Sequence, residues 1–513
     1  MTMTLWFIFF LIIQVIHFIG TWKLYVKAGR KSWEAIVPIY NALILMKIIN
    51  RPAWWVLLLF IPIINLLMFP VIWIETIRSF GKNSTTDSFL AVLTLGFYTY
   101  YINYIANVNY VEDRSLKSRT ELGEWVSSIV FAIVAATLVH TYFMQPYTIP
   151  TSSLEKSLLV GDFLFVSKFH YGARVPMTTI AAPMVHDSLP LTKTKSYLKI
   201  PQLPYFRIPG FQSIKRNEIV VFNWPVDTVR FFRDHSNIHI DKPIDKKSNY
   251  VKRCVGIPGD SLEIKDGYIF INGEKTQLPD RARTQYFHKV TVSEGFNPSS
   301  LTNRYGSTEL GGGNNGEYYV NLTDENAAKL KNNPLVKSII KDLYPKGNYD
   351  STVFPHSEQY SWSRDNFGPI YIPEEGKTVE LNAASIPFYK RIIEEYENNN
   401  LTINGNEIFI NGKLATSYTF KQNYYWMMGD NRHNSEDARY WGYVPFDHVV
   451  GKPVFIWFSW DSNAQGLGNK IRWERVFTTV HGSGEPVSYL YYFLAALVLW
   501  FGYSSYRRRK NEE

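Results

Sequence analysis

Residues 249–275 read NYVKRCVGIPGDSLEIKDGYIFINGEK. The first run is strand-like, with Tyr250, Val251, Val255 and Ile257 as its apolar members. Gly256-Ile257-Pro258-Gly259-Asp260 then forms a tight turn, and SLEIKDGYIFINGEK reads as a hairpin on the Asp266-Gly267 pair. Lys252 stands inside the first run. A strand lysine normally points to solvent, but one facing inward loses hydration, and its pKa falls towards that of a base usable near neutral pH.

NEIFINGK at 406–413 repeats the pattern of YIFINGEK at 268–275. Two copies are too few to imply a repeat architecture. DFLFVSKF (162–169) and EIVVFNW (218–224) have strand character. Helical periodicity is expected only near 324–343 and 383–396. The middle of the chain therefore reads as an extended β-sheet domain with loop insertions.

The flanks differ. Apolar stretches at 3–20, 54–74, 89–105, 125–144 and 487–503 approach the roughly 20 residues that a bilayer core requires. The segment 32–49 is apolar but interrupted by Pro38, and an interfacial helix is expected there. The first stretch lacks the basic flank and small-residue cleavage site of a removable leader. Lys23, Lys27, Arg30, Lys31, Lys47, Arg51, Arg114, Lys117, Arg119 and the run Arg507-Arg508-Arg509-Lys510 fall on one side if five helices cross from an outside N-terminus. The positive-inside rule makes that side the cytoplasm and places residues 145–486 outside. The expected organisation is a polytopic membrane module at 1–110, a transmembrane helix at 124–144, an extracytoplasmic domain at 145–486 with an insertion at about 276–400, a C-terminal span at 487–503 and a basic tail at 504–513.

The net charge of +9 over 513 residues does not form a basic stripe, and no nucleic-acid reader motif is present, so nucleic acid is not expected as a partner. A single cysteine, Cys254, excludes an internal disulfide framework and any multi-cysteine zinc site. His235 and His239 lack a third ligand at a recognisable spacing, so no metal and no cofactor are expected.

Three stretches carry candidate chemistry. QPYTIPTSSLEKSLLVGD (145–162) follows the fourth apolar segment. Pro146 and Pro150 keep its chain extended before the hydroxyl residues Thr151, Ser152 and Ser153. NYVKRCVGIPGD (249–260) carries Lys252. MMGDNRHNSEDARYWG (427–442) carries a turn at Gly429-Asp430-Asn431, with Asp437 and Arg439 close enough to pair; His433 alone is thin for zinc. Each alone is weak: hydroxyl residues after a helix usually make a solvated turn, and strand lysines are usually exposed.

In this order after a membrane span, the three stretches resemble the bacterial type I signal peptidase family. The resemblance covers essentially all of 144–455. It rests on Ile149-Pro150 through Gly161-Asp162, on Tyr250-Val251-Lys252-Arg253 with Gly256 and Pro258-Gly259-Asp260, and on Gly429-Asp430-Asn431-Arg432, Asn434-Ser435, Asp437 and Arg439-Tyr440-Trp441-Gly442. It implies a mainly β catalytic domain with an inserted second β-domain, plus several α-helical transmembrane segments, in the cytoplasmic (inner) membrane. It further implies a serine endopeptidase that removes signal peptides from exported preproteins after small residues. Ser153 would be the nucleophile and Lys252 its general base. Ser435 would orient the lysine amine, and Thr151, with the Ser153 N–H, would hold the oxyanion. Asp437 and Arg439 would form a structural ion pair. Tyr147, Ile149, Leu154, Leu164, Val221, Tyr250 and Val251 would wall the substrate pocket.

The expected partners are preprotein signal peptides and membrane lipid, with the protein translocation channel as a further candidate. The sequence departs from the family at Ser152, where glycine is usual, at Leu154, where methionine is, and at Glu155-Lys156. The competing expectation from another class is a catalytically inactive membrane scaffold that binds exported proteins. Intact Ser153, Lys252 and Ser435 speak against it, since a scaffold needs none of them.

Overall fold

The computed structural model describes residues 2–118, 120–229 and 238–512. Contacts divide them into two compact units. One comprises Met1–Met144, Ala173–Ile208 and Asp227–Lys247; the other comprises Gln145–Gly172, Pro209–Val226 and Ser248–Glu513.

In the first unit, helix α1 (Met3–Lys27) begins at Thr2, whose hydroxyl accepts the Leu5 N–H at 3.3 Å. Helix α2 (Glu121–Leu138) is capped in the same way by Thr120 on Gly123 N–H and continues through a π-turn at Val139–Phe143. Among the described residues, Met3–Lys27 and Glu121–Phe143 are the two helices long and apolar enough to cross a membrane.

Two of the other apolar stretches depart from the expectation of single spans. Residues 54–74 are split into Trp55–Leu58 and Ile64–Arg78, with Pro62 and a left-handed Ile63 (φ 70°) between them. Residues 89–105 are split into Thr85–Leu93 and Tyr98–Tyr104 by left-handed Leu95 and Gly96. In 32–49 a short 3-10 turn (Ser32–Ala35) precedes a helix at Tyr40–Ile48. The last apolar stretch is helical from Leu490, in a helix, Leu490–Glu512, that also carries the terminal arginine run.

Two arginines counted above as topology signals have a second role. Buried Glu75 pairs with Arg51 at 2.9 Å, with Arg78 at 3.1 Å and with Arg114, drawing three chain segments onto one carboxylate. His239 Nδ1 lies 3.0 Å from Thr228 Oγ1; His235 lies outside the described residues.

The second unit is mainly β. Its principal sheet uses β1 (Met144–Thr148), β2 (Asp162–Ser167), β3 (Ile219–Asn223), β4 (Asn249–Gly256), β5 (Tyr424–Met428), β6 (Val444–Pro445), β7 (Val449–Ser459) and β8 (Thr478–Thr479). The order is β1-β2-β7-β3-β4-β5-β6, with β8 on β7. β3 and β4 are antiparallel, pairing Val220 with Lys252, Val221 with Val251 and Phe222 with Tyr250.

The hairpin read from the sequence is present. Ser261–Lys265 pairs with Tyr268–Ile271 across Asp266 (φ 49°) and Gly267 (φ 80°), the two left-handed residues a tight hairpin turn requires. The two similar octapeptides also make the same turn, at Asn272-Gly273 and Asn411-Gly412, in separate sheets.

Within the insertion, Gln285–Val292, Leu310–Gly312, Glu317–Thr323 and Val336–Lys341 build a four-stranded sheet around Val290, Val320, Leu322 and Leu330. The helix expected over 324–343 stops at Lys331, and Val336–Lys341 is a strand. Pro334 cannot continue the helix, and the Val336–Ile340 stretch, with its β-branched residues, favours the sheet edge. Residues 383–396 are helical as Ile386–Arg391, with a π-turn at Ile392–Tyr396.

Candidate active site

Three sheet elements bring the three motif stretches together. Ser153 lies in a 3-10 turn (Ser152–Leu154) between β1 and β2; Lys252 lies on β4; Ser435 lies in the loop after β5, Asp437 caps the short helix Ala438–Trp441 that follows, and Arg439 lies in its first turn. One ion-pair cluster takes a residue from each stretch. Arg253 grips Asp430 through Nε–Oδ1 (2.8 Å) and Nη2–Oδ2 (2.6 Å), and Ser157 Oγ donates to the same carboxylate at 2.5 Å. Burial would raise the Asp430 carboxyl, but the Arg253 guanidinium outweighs it and holds the group below the usual carboxylate range. The sequence contains Arg253, Asp430 and Ser157 inside its motifs but gives no sign that they pair, since they come from three separate stretches.

Lys252 Nζ and Ser153 Oγ lie 2.6 Å apart, and Lys252 is only 3 % exposed. Burial drives the lysine pKa down to about 8, against the opposing pull of Asp437 and Glu436. The inward orientation follows from β4. Lys252 stands opposite Val220 and on the same strand face as Tyr250 and Cys254, above a cluster that includes Val220, Phe222 and Met427. Its ammonium position is 5.5 Å from the Tyr250 ring.

Asp437 and Arg439 pair as expected, through Nε–Oδ1 and Nη2–Oδ2, both at 2.8 Å. Asp437 also accepts the Gly429 N–H at 3.0 Å, and Arg439 Nη2 donates to Arg432 O at 2.5 Å, closing the loop on itself. Burial opposes ionisation of Asp437, yet Arg439 and the Gly429 N–H hold its carboxyl below the ordinary range.

Ser435 Oγ is buried beside Gly429 and has no hydrogen-bond partner among the described residues, so the contact with Lys252 expected from the resemblance is not made. Thr151 caps the 3-10 turn with extended backbone (φ −136°, ψ 155°), and its side chain makes no cap bond.

Of the seven expected pocket residues, Tyr147, Ile149, Leu154, Leu164, Val221 and Val251 share one apolar cluster. Tyr250 does not join it. The strand alternation sends it to the opposite face from Val251, where it packs on Trp224 (5.1 Å) and Trp441 (5.4 Å). His433 is a structural residue: its Nδ1 accepts the Phe287 N–H at 3.0 Å, and Nε2 faces Asp365 at 2.9 Å.

Gly429 is where the site is packed most tightly. A Cβ there would lie 2.2 Å from Ser435 Oγ and 2.6 Å from Ser153 O. Gly429→Ala is therefore expected to displace the Ser153 turn and lower kcat about 100-fold while the protein stays folded, as read by steady-state kinetics beside a thermal melt.

Comparison with known proteins gives two family matches. The family described as signal peptidase, peptidase S26, matches residues 122–326 and 372–460, more than half of the chain. Residues 33–113 match a family of unknown function (DUF5684). Signal peptidase I of Buchnera aphidicola subsp. Acyrthosiphon pisum is 26 % identical over 392 residues, covering 74 % of this chain and 90 % of that protein. Signal peptidase I of Helicobacter pylori strain J99 is 26 % identical, covering 69 % and 92 %. That of Rickettsia massiliae is 24 % identical, covering 70 % and 89 %.

Proposed function

The chain belongs to the signal peptidase, peptidase S26 family, and on that premise we propose that it is a membrane-anchored serine endopeptidase that removes N-terminal signal peptides from exported preproteins, with Ser153 as nucleophile and Lys252 as general base. The observation that carries the assignment of roles is the buried 2.6 Å approach of Lys252 Nζ to Ser153 Oγ.

The chemistry follows from that pair. Neutral Lys252 takes the Ser153 hydroxyl proton as Oγ attacks the scissile carbonyl. The Ser153 N–H and the Thr151 hydroxyl receive the developing oxyanion. Collapse of the tetrahedral intermediate breaks the C–N bond, and the Lys252 ammonium returns the proton to the departing amine of the mature chain. The signal peptide is then held as an ester on Ser153. Lys252, neutral again, removes a proton from water as its oxygen attacks the ester; the resulting ammonium returns that proton to Ser153 Oγ as the ester C–O bond breaks, freeing the signal peptide with its new carboxyl group and restoring Ser153 and neutral Lys252. Asp437 and Arg439 hold the loop that carries Ser435 beside this pair. In this assignment the Ile149, Leu164, Val221 and Val251 cluster selects small side chains before the cut, while the Val220, Phe222 and Met427 cluster on the other face of the sheet keeps water from Lys252. α1 and α2 anchor the chain, and residues 145–486 act on the extracytoplasmic face.

The test is cleavage of a synthetic preprotein by the full-length chain in detergent or liposomes. A substrate with alanine before the scissile bond is expected to be cut at one position, and replacing that alanine with tryptophan is expected to lower kcat/KM at least about 100-fold. Equal cleavage of both, or none of either, contradicts the proposed function.

A further inference from the structure

Ser152 stands beside the proposed nucleophile, where the related family has glycine, and its surroundings come from the inserted sheet. Glu309, half-buried just before the strand Leu310–Gly312, aims Oε1 at three groups. It accepts from Asn434 Nδ2 at 2.6 Å, from Asn431 Nδ2 at 3.0 Å and, more weakly, from Ser152 Oγ at 3.4 Å. The two asparagines also reach the turn itself: Asn434 Nδ2 to Ser152 Oγ (3.2 Å), Asn431 Nδ2 to Ser152 O (3.3 Å) and Asn431 N to Ser153 O (3.0 Å). On the far side of the turn, Gln285 Nε2 donates to Glu155 O at 3.0 Å.

The insertion fixes Glu309 firmly. Asn321 is wholly buried, and its Oδ1 accepts the N–H groups of Thr308 and Glu309 at 3.0 and 2.8 Å. Its Nδ2 donates to Gln285 Oε1 at 3.0 Å, so one amide joins both arms. Asn321 is thereby a core hydrogen-bonding residue of the insertion.

We propose that Glu309 is a positioning residue: its carboxylate, held by the inserted sheet, acts through Asn431 and Asn434 to fix the turn that carries Ser153. Glu309 does not touch Ser153 or Lys252, so it sets the placement of the hydroxyl and leaves the affinity for substrate alone. A glutamine at 309 keeps an acceptor oxygen where the contacts need it, whereas alanine removes it. This inference rests on the proposed role of Ser153, and Ser153→Ala in the same assay separates the two. If Ser153→Ala keeps wild-type cleavage, that role fails; if it is inactive while Glu309→Ala is fully active, only the present inference fails.

The experiment measures kcat, KM and melting temperature for the full-length protein on the synthetic preprotein. Glu309→Ala is expected to lower kcat about tenfold with KM within about twofold of wild type. Glu309→Gln is expected to recover to within about threefold, and adding Asn434→Ala to Glu309→Ala to lower kcat little further, since both act on one contact. Wild-type kcat in Glu309→Ala, equal loss in Glu309→Gln, or fully multiplicative losses in the double variant would overturn the proposal. Should Glu309→Ala fail to fold, Asn434→Ala alone decides: reduced kcat at an unchanged melting temperature is expected, and wild-type kcat overturns it.

Discussion

Ser153→Ala is expected to lower kcat/KM for a preprotein by about 10⁴-fold or more, with no loss of folded protein. The size of the effect follows from the role: without Oγ no ester can form, and the residual rate is that of whatever orientation and oxyanion stabilisation the site still supplies. The structural cost is small. The side chain is short, its backbone carbonyl keeps its bond from Asn431 N–H, and the surrounding ion pairs, Arg253 with Asp430 and Arg439 with Asp437, do not touch the hydroxyl. A melting temperature close to wild type combined with full activity would remove Ser153 from the mechanism.

Lys252→Ala is expected to lower kcat/KM about 10³- to 10⁴-fold, and the wild-type pH profile gives the reason. The active form is the neutral amine. With the lysine pKa at about 8, most of the enzyme carries an ammonium below that pH, so log kcat/KM is expected to rise with unit slope up to about pH 8 and then level off. Glu436, exposed to solvent beside Lys252, pulls that pKa upward; Glu436→Gln should therefore move the midpoint to lower pH.

Stability moves in a related direction. The folded-state pKa of Lys252 lies below its unfolded value of 10.5, so the folded state is penalised below about pH 8, and the penalty fades as pH rises towards 10.5. That penalty is about 3 kcal/mol at neutral pH, and the lost contact with Ser153 offsets about 1 kcal/mol of its removal. Lys252→Met is thus expected to be inactive yet at least as stable as wild type at pH 7, as read by chemical denaturation. A profile flat from pH 6 to 9, or a marked destabilisation by methionine, would show that the lysine is not the buried base.

Much of the second unit was legible because its elements carry local information. The Asp266-Gly267 and Asn411-Gly412 turns announce their hairpins, and β2, β3 and β4 stand within a residue or two of the runs read as strands. The approach of Ser153 to Lys252 was legible only by resemblance, since 99 positions separate them and nothing local says that a strand lysine faces inward.

What the sequence did not disclose is non-local or backbone-controlled. Ile63 and Leu95 look like interior positions of apolar spans, yet their left-handed backbone ends the helices there. The family resemblance puts Tyr250 and Val251 in one pocket, but adjacent strand residues cannot share a face. Arg51 and Arg114 read as membrane-flanking charges, while their partner Glu75 lies far away in sequence. Glu309 had no local pattern at all; its position depends on a sheet whose strands are separated by loops of no fixed length.

If Ser153 is the nucleophile served by Lys252, the covalent intermediate can be trapped on it. An ester analogue of the signal peptide, mixed with enzyme at pH 9 and quenched in acid within the burst of product release, should leave the acyl group on the enzyme, where peptide mass spectrometry can find it. The added mass is expected on the peptide containing Ser153 in wild type and is expected to be absent from Ser153→Ala. The same adduct in Ser153→Ala, or acylation of a different residue during productive turnover, would contradict Ser153 as the nucleophile.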